Sequence, residues 1–257
     1  MTVQEPIIET KNLTKYFGAM AAVNDVSIKI QAGTLHAIIG PNGAGKTTFF
    51  NLLSGNLKPT SGKVFYKGTD LTGKPIHRMI HMGIGRSFQI TNIFPNLTVH
   101  ENIRLASQAM EEKNFHILGD TTKMVRCQQR TAEVVEKVGL TSQSLVLARA
   151  LSHGDQRKLE LGMILAPDPE LLLLDEPTAG MATDQVPELI TLIQEVQQSG
   201  TKTVILVEHN MNVVMSVSDR ITVMHQGRVL AEGTPSEIAQ NSEVQTAYLG
   251  GLYDLKI

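Results

Sequence analysis

Residues 40–48 read GPNGAGKTT, a run of glycines closed by a lysine and two threonines. Glycines at this spacing let successive backbone amides turn inward around phosphate oxygens, and a helix starting beyond them adds positive potential. Lys46 can then reach the β- and γ-phosphates of a nucleotide, and the Thr47 hydroxyl can ligate Mg²⁺. The candidate nucleotide contacts are Gly40, Pro41, Asn42, Gly43, Ala44, Gly45, Lys46, Thr47 and Thr48. The run follows the apolar segment LHAIIG and precedes KTTFFNLLSG, the strand–loop–helix context this chemistry requires.

A second cluster is the acid pair Asp175–Glu176, which ends the aliphatic run PELLLLDEP. An acid at the C-terminal end of a buried parallel strand stands on the rim where α/β sheets bind ligands. Asp175 is placed to hold magnesium, and Glu176, projecting differently, to orient or deprotonate an attacking water. A helix-capping acid after a core strand is the plainer reading of such a pair alone; the phosphate loop in the same chain favours the chemical one.

Ser152, His153 and Asp155 fall within four positions in LSHGDQRKLE, which raises the question of a hydrolytic triad. Triad members meet in space rather than in sequence, and no GxSxG elbow surrounds Ser152. Ser152 and Asp155 instead form an S-x-x-D capping pattern before a helical stretch. Gly154 allows close approach there, so this positive helix end suits an anion. It equally suits a capped helix that binds nothing.

These residues must be positioned by an α/β sheet. VSIKI (26–30) alternates as a strand, LHAIIG (35–40) reads as a buried one, and GKVFYKG (62–68) as a third between glycines. From about residue 90 to 165 the period turns helical, with Val134, Val135 and Val138 on one stripe. VPELITLIQEVQQSG is an amphipathic helix with Pro187 near its start. TKTVILVEH and ITVMHQGRVL are further strands, the last folding over Gln226–Gly227. Strands alternating with helices predict an α/β fold.

Bulk properties narrow the partners. A formal net charge of −2 and a pI near 6.4 give no electrostatic case for nucleic acid. The single cysteine, Cys127, excludes an internal disulfide framework and fits a reducing compartment. No signal-length apolar core opens the chain, and the LLLL run at 171–174 is far too short to cross a bilayer. His77 and His81, four apart, could pair on a metal, but the absence of a nearby acid or cysteine ligand favours a solvent face.

LSHGDQRKLEL, standing shortly before LLLLDEP, resembles the signature motif LSGGQ of the ATP-binding cassette (ABC) ATPases. Other marks of that family occur in order along the whole chain. Phe17 in KYFG matches the aromatic that stacks on adenine, Gln89 in GRSFQ the Q-loop glutamine at the magnesium, and His209 in LVEHN the switch histidine near the γ-phosphate. The resemblance implies a P-loop NTPase (RecA-like) core with an N-terminal antiparallel β subdomain, over about 1–89 and 166–257. A helical subdomain carrying the signature would be inserted over about 90–165. It implies ATP and Mg²⁺, with Thr47, Gln89 and Asp175 at the metal and Glu176, His209, Gln89 and Lys46 in hydrolysis. Ser152, Gly154 and Asp155 become ligands of a phosphate held by a facing cassette. There are two departures: His153 replaces the first signature glycine, and Ala179 and Ala182 replace the usual D-loop residues, with Asp184 two positions late.

The stretch GIGRSFQITNIFPNLTVHENI, with PTAGM, LVEHNM and the terminal AYLG, resembles the LivG-type ATPases of branched-chain amino-acid importers. That likeness implies two membrane-spanning permease subunits, a sister LivF-type ATPase or a second copy of this chain, and an external substrate-binding protein. It places the chain at the cytoplasmic face of the membrane, with the segment from Gln89 to Glu101 receiving a permease helix. Urea or amide importers, exporters and soluble non-transport ABC ATPases are the alternatives.

Overall fold

The computed structural model describes residues 5–87, 93–108, 121–199 and 202–249, the side chains of 121–124 and 249 excepted. The strands are β1 (Ile8–Phe17), β2 (Met20–Val26), β3 (Lys29–Ile30), β4 (Leu35–Ile39), β5 (Ser61–Tyr66), β6 (Thr69–Asp70), β7 (Ile84–Arg86), β8 (Leu171–Asp175), β9 (Thr203–Val207), β10 (Arg220–His225) and β11 (Arg228–Gly233). The helices are α1 (Lys46–Leu53), α2 (His77–His81), α3 (Val99–Gln108), α4 (Thr121–Lys137), α5 (His153–Leu165), α6 (Val186–Gln198), α7 (Met211–Val217), α8 (Pro235–Ala239) and α9 (Ser242–Leu249).

Two sheets form. An antiparallel one runs β2-β1-β5-β6, with β3 also pairing β1. The main sheet runs β11-β10-β4-β9-β8-β7, parallel except for β11. Its central strands β4, β8 and β9 are buried at every position, which is why they read as unbroken aliphatic runs rather than alternating ones. Alternate residues serve opposite faces. Leu171, Leu173, Ile205 and Val207 join the core under the antiparallel sheet with Phe49 and Phe50 of α1. Leu172, Leu174, Val204 and Leu206 face the other way, toward Leu159 of α5, Ile193 of α6 and Val134 of α4.

The expected strand over 26–30 is broken. β2 ends at Val26 and β3 begins at Lys29, because Thr10 takes over the pairing between them. Its hydroxyl donates to the Val26 carbonyl and accepts from the Ile28 amide, both at 3.0 Å. In the helical region, α3, α4 and α5 pack together, with Val134, Val135 and Val138 buried. Asn102, fully buried, holds the chain before α3: its amide donates to the carbonyls of Phe94 and Thr98, at 3.1 and 2.8 Å, and its oxygen accepts from Phe94 N at 2.7 Å. Among the described residues no helix is long and apolar enough to cross a membrane.

Register explains how distant residues meet. Ile38 of β4 and Asp175 of β8 both pair with Val207 of β9. Gly40, Glu176 and His209 therefore emerge along one edge of the sheet, each a residue or two beyond a strand end.

One buried group on β4 predicts an acid sensitivity. His36 is 1% exposed and bonded to the Thr222 hydroxyl at 2.7 Å. Burial, aided by the Arg220 charge, lowers its pKa to about 4 from the ordinary 6.5. The unfolded chain then takes a proton that the folded chain refuses. Stability from this group is present above pH 6.5 and is lost as pH falls toward 4, about 2 kcal/mol of it by pH 5. Urea unfolding at pH 7.5 and pH 5 should show that loss, and His36→Gln, which cannot charge, should show a smaller one. Equal losses in the two proteins would contradict the assignment.

Candidate active site

The phosphate loop leaves β4 at Gly40, where φ is 153° and a Cβ would come 2.2 Å from the Met224 carbonyl oxygen. At Gly45, φ is 98° and a Cβ would fall 2.2 Å from the carbonyl of Ala22. Both positions thus need glycine for conformation and for space. No side chain caps α1, which leaves its first amides to a ligand at the loop. Lys46, the first residue of α1, is buried, and its ammonium donates to the carbonyls of Gly40 and Pro41 at 2.7 and 3.0 Å. Burial lowers its pKa, and the carboxylates of Glu176 and Asp175 oppose that shift.

Asp175 closes β8 with 3% exposure, its amide donating to the Ser87 hydroxyl at 2.8 Å. Both of its carboxylate oxygens are buried without a hydrogen-bond partner. Burial first, and then the Glu176 charge, push its pKa up to about 6, against Arg86, His209 and Lys46. A buried carboxylate in this condition calls for a cation. Glu176 follows in the left-handed region, φ 49°, with its amide donating to Val207 O at 2.8 Å. That turn aims its carboxylate at His209, whose Nε2 lies 2.6 Å from Glu176 Oε1. Both side chains keep solvent contact, 30% for Glu176 and 46% for His209. A water-activating carboxylate needs such a setting: held by one neighbour and open on the other side.

Phe17 lies at the end of β1, 46% exposed, before the turn at Gly18. The Lys15 ammonium sits 5.3 Å from its ring centroid, which marks that face as one a flat π-system or a cation can use. Thr47 and Thr48 follow Lys46 into α1, both half-buried. Gln89, expected at the metal, lies outside the described residues.

The signature segment is built on the helical side. Ser152 caps α5, its hydroxyl accepting from Asp155 N at 3.1 Å and donating to Asp155 Oδ2 at 2.8 Å. Although burial pushes it up, hydrogen bonds from Ser152, Gln143 and Lys158 hold the Asp155 carboxyl below the ordinary carboxylate range. The close approach at Gly154 is made by Gln185, whose Oε1 would stand 2.7 Å from a Cβ, so a larger residue there would have to displace that side chain. The His153 ring, exposed, lies against Gly180 of the following turn. Arg157 ties α5 to the same turn, donating to Ala179 O at 3.2 Å. None of the contacts described for this end of α5 reaches Lys46, Asp175 or His209.

Three site neighbours have no signature in the sequence. Arg86 donates to Ser54 and, at 2.6 Å, to Asn51 Oδ1, which sets a cation near Asp175. Ser87 aligns the Asp175 amide. Glu208 accepts from the hydroxyl of Thr178 at 2.6 Å, fixing the turn after the acid pair. Each acts across 30 or more residues, beyond any local pattern.

Geometry of this kind defines a phosphate-loop ATPase. The ABC transporter family model matches residues 23–179, and a model described as a branched-chain amino acid ATP-binding cassette transporter matches residues 228–254. The high-affinity branched-chain amino acid transport ATP-binding protein LivG of Salmonella typhimurium is 40% identical over 253 residues, 96% of this chain and 99% of that one. BraF of Pseudomonas aeruginosa, with the same description, is 38% identical over the same shares. Among solved structures, the ADP conformation of an ATP-binding cassette from an ABC transporter matches with TM-score 0.81 and 28% identity, over 95% of this chain and 99% of that one. The chain belongs to the ABC family, among the ATP-binding proteins of branched-chain amino-acid transport. It binds nucleotide and is an ATPase.

Proposed function

We propose that this chain is the ATP-hydrolysing subunit of an importer for branched-chain or other hydrophobic amino acids. It would be held at the cytoplasmic face of the membrane by two membrane-spanning permease subunits. The observation that carries this reading is the likeness to LivG and BraF over nearly the full length of each chain. A lipopolysaccharide export ATP-binding protein of Haemophilus influenzae stands further off, at 31% identity.

A groove supports the membrane partner. A cavity of about 490 Å³ opens between α2, β7 and α5, lined mostly by apolar side chains such as Ile76, Met79, Ile80, Met163 and Ile164. Arg86 and Glu160 stand among them, and an amphipathic helix with a polar edge would fit this chemistry. Of the segment expected to receive that helix, residues 89–92 lie outside the described residues, Val99 is core, and Phe94 is exposed.

In the mechanism, Lys46 turns from the carbonyls of Gly40 and Pro41 to the β- and γ-phosphates of ATP, while Phe17 stacks on the base. Asp175 and Thr47 would hold Mg²⁺, with Gln89 joining them on the family likeness alone; the two orphaned oxygens of Asp175 support the assignment. Bound there, the ion would offset phosphate charge. Glu176 orients the attacking water and takes its proton, and His209 holds the carboxylate in line. A dimeric relative in a post-hydrolysis state with ADP and Pi matches at TM-score 0.75 and 25% identity. A comparable pairing of this chain, with itself or a sister ATPase, would bring Ser152, Gly154 and Asp155 of one cassette to the γ-phosphate on the other. An external binding protein would deliver the amino acid to the permeases.

Purification from detergent-solubilised native membranes tests the reading. Two polytopic membrane proteins and a second cassette should accompany the chain; recovery from the soluble fraction with ribosomal or nucleic-acid partners would contradict transport.

A further inference from the structure

The end of α5 proposed to meet a facing triphosphate carries an acid of its own. Where the motif LSGGQ ends in a neutral glutamine, this chain has Asp155. Its Oδ2 accepts from the Ser152 hydroxyl at 2.8 Å and from the Gln143 side-chain amide at 3.2 Å. The Ser152 hydroxyl thus points its proton at a carboxylate. A phosphate oxygen within hydrogen-bond reach of that hydroxyl would stand no more than about 6 Å from Asp155 Oδ2. Two anions at that separation repel each other unless a cation stands beside them.

Lys158, three residues further along α5, is that cation. It is buried, and its ammonium lies 3.3 Å from Asp155 Oδ1 and 2.5 Å from Oε1 of the exposed Glu188 on α6. Although burial pulls its pKa down, hydrogen bonds to Glu188 and Asp155 raise it, so the group stays charged. The neighbouring cation, Arg157, is engaged elsewhere, by Glu160 at 2.8 Å and by the Ala179 carbonyl at 3.2 Å. We propose that Lys158 is a positioning residue for the phosphate seat, acting through Asp155: it balances the carboxylate and fixes its direction. The two oxygens are divided, Oδ1 to Lys158 and Oδ2 to Ser152 and Gln143. The bond to Lys158 does not involve Ser152, so it persists when the hydroxyl turns to phosphate. The facing nucleotide then meets a compensated acid rather than a bare one.

The inference rests on the ATP-driven pairing proposed above, and one set of titrations separates the two. Light scattering follows pairing as ATP is added to the Glu176→Gln chain, and to the same chain carrying Lys158→Met, Asp155→Asn or both. Lys158→Met should raise the ATP concentration for half-maximal pairing by roughly 10-fold or more. Asp155→Asn removes the charge that needs balancing, so adding Lys158→Met to it should cost no more than about 2-fold. That rescue also shows that the chain folds with an apolar side chain at position 158. An equal loss on both backgrounds overturns the proposal, because Lys158 then only ties α5 to α6. So does a Lys158→Met chain that pairs at the ATP concentration its parent needs. Failure of the Glu176→Gln parent itself to pair with ATP would instead remove the pairing reading, and this proposal with it.

Discussion

Replacing Glu176 with Gln is expected to lower ATP turnover by at least about 100-fold, the usual share of a positioned general base. ATP binding should survive. Gln is isosteric, can adopt the same turn, and can still meet His209 Nε2 where Glu176 Oε1 does at 2.6 Å. What it cannot do is take a proton from water. In the proposed pairing hydrolysis would remove the anion that two cassettes share, so a variant that binds but does not hydrolyse should accumulate as a closed pair. Gel filtration with and without ATP reads the pairing, and phosphate release reads the turnover. Turnover near the wild-type rate would remove Glu176 from its assigned role.

Lys46→Ala should act one step earlier. In its proposed role the ammonium supplies charge-assisted hydrogen bonds to phosphate, and their loss should raise the Kd for ATP by roughly 100-fold or more. Its neighbours make the effect local. Lys46 is buried within reach of the Asp175 and Glu176 charges, so removing it leaves two carboxylates near the phosphates with one balancing cation fewer. The carbonyls of Gly40 and Pro41 lose a donor in the nucleotide-free chain, but they lie on a loop where water can replace it. The circular dichroism spectrum should therefore stay native-like while binding disappears. Unaltered ATP affinity would place Lys46 outside the site.

Much of this was legible before any coordinates, for a physical reason. Residues 40–48 and the acid pair 175–176 are runs of neighbours in sequence, so spacing alone exposes them as candidates. The S-x-x-D pattern at Ser152 likewise named a helix start, and α5 begins one residue later. The parallel core was readable because β4, β8 and β9 are buried throughout and must be aliphatic at every position. Where contacts bridge distant segments, the sequence is silent. Nothing local marks Thr10 as the group that interrupts the pairing at Ser27 and Ile28, or Arg86 as the partner of Asn51 and Ser54. Gly154 shows the mixed case: its pattern points to a close approach, but the side chain making it, Gln185, comes from the distant residue that precedes α6. The pairing of Glu176 with His209, 33 positions apart, depends on strand register, which periodicity does not supply.

The most direct test of the account is uptake of radiolabelled leucine by cells whose chromosomal copy of this chain carries Lys46→Ala. If the chain energises an importer for branched-chain amino acids, high-affinity leucine uptake should be lost and uptake of an unrelated solute, such as a sugar, preserved. Leucine uptake at the wild-type rate, in a cell shown to contain only the altered chain, would contradict it.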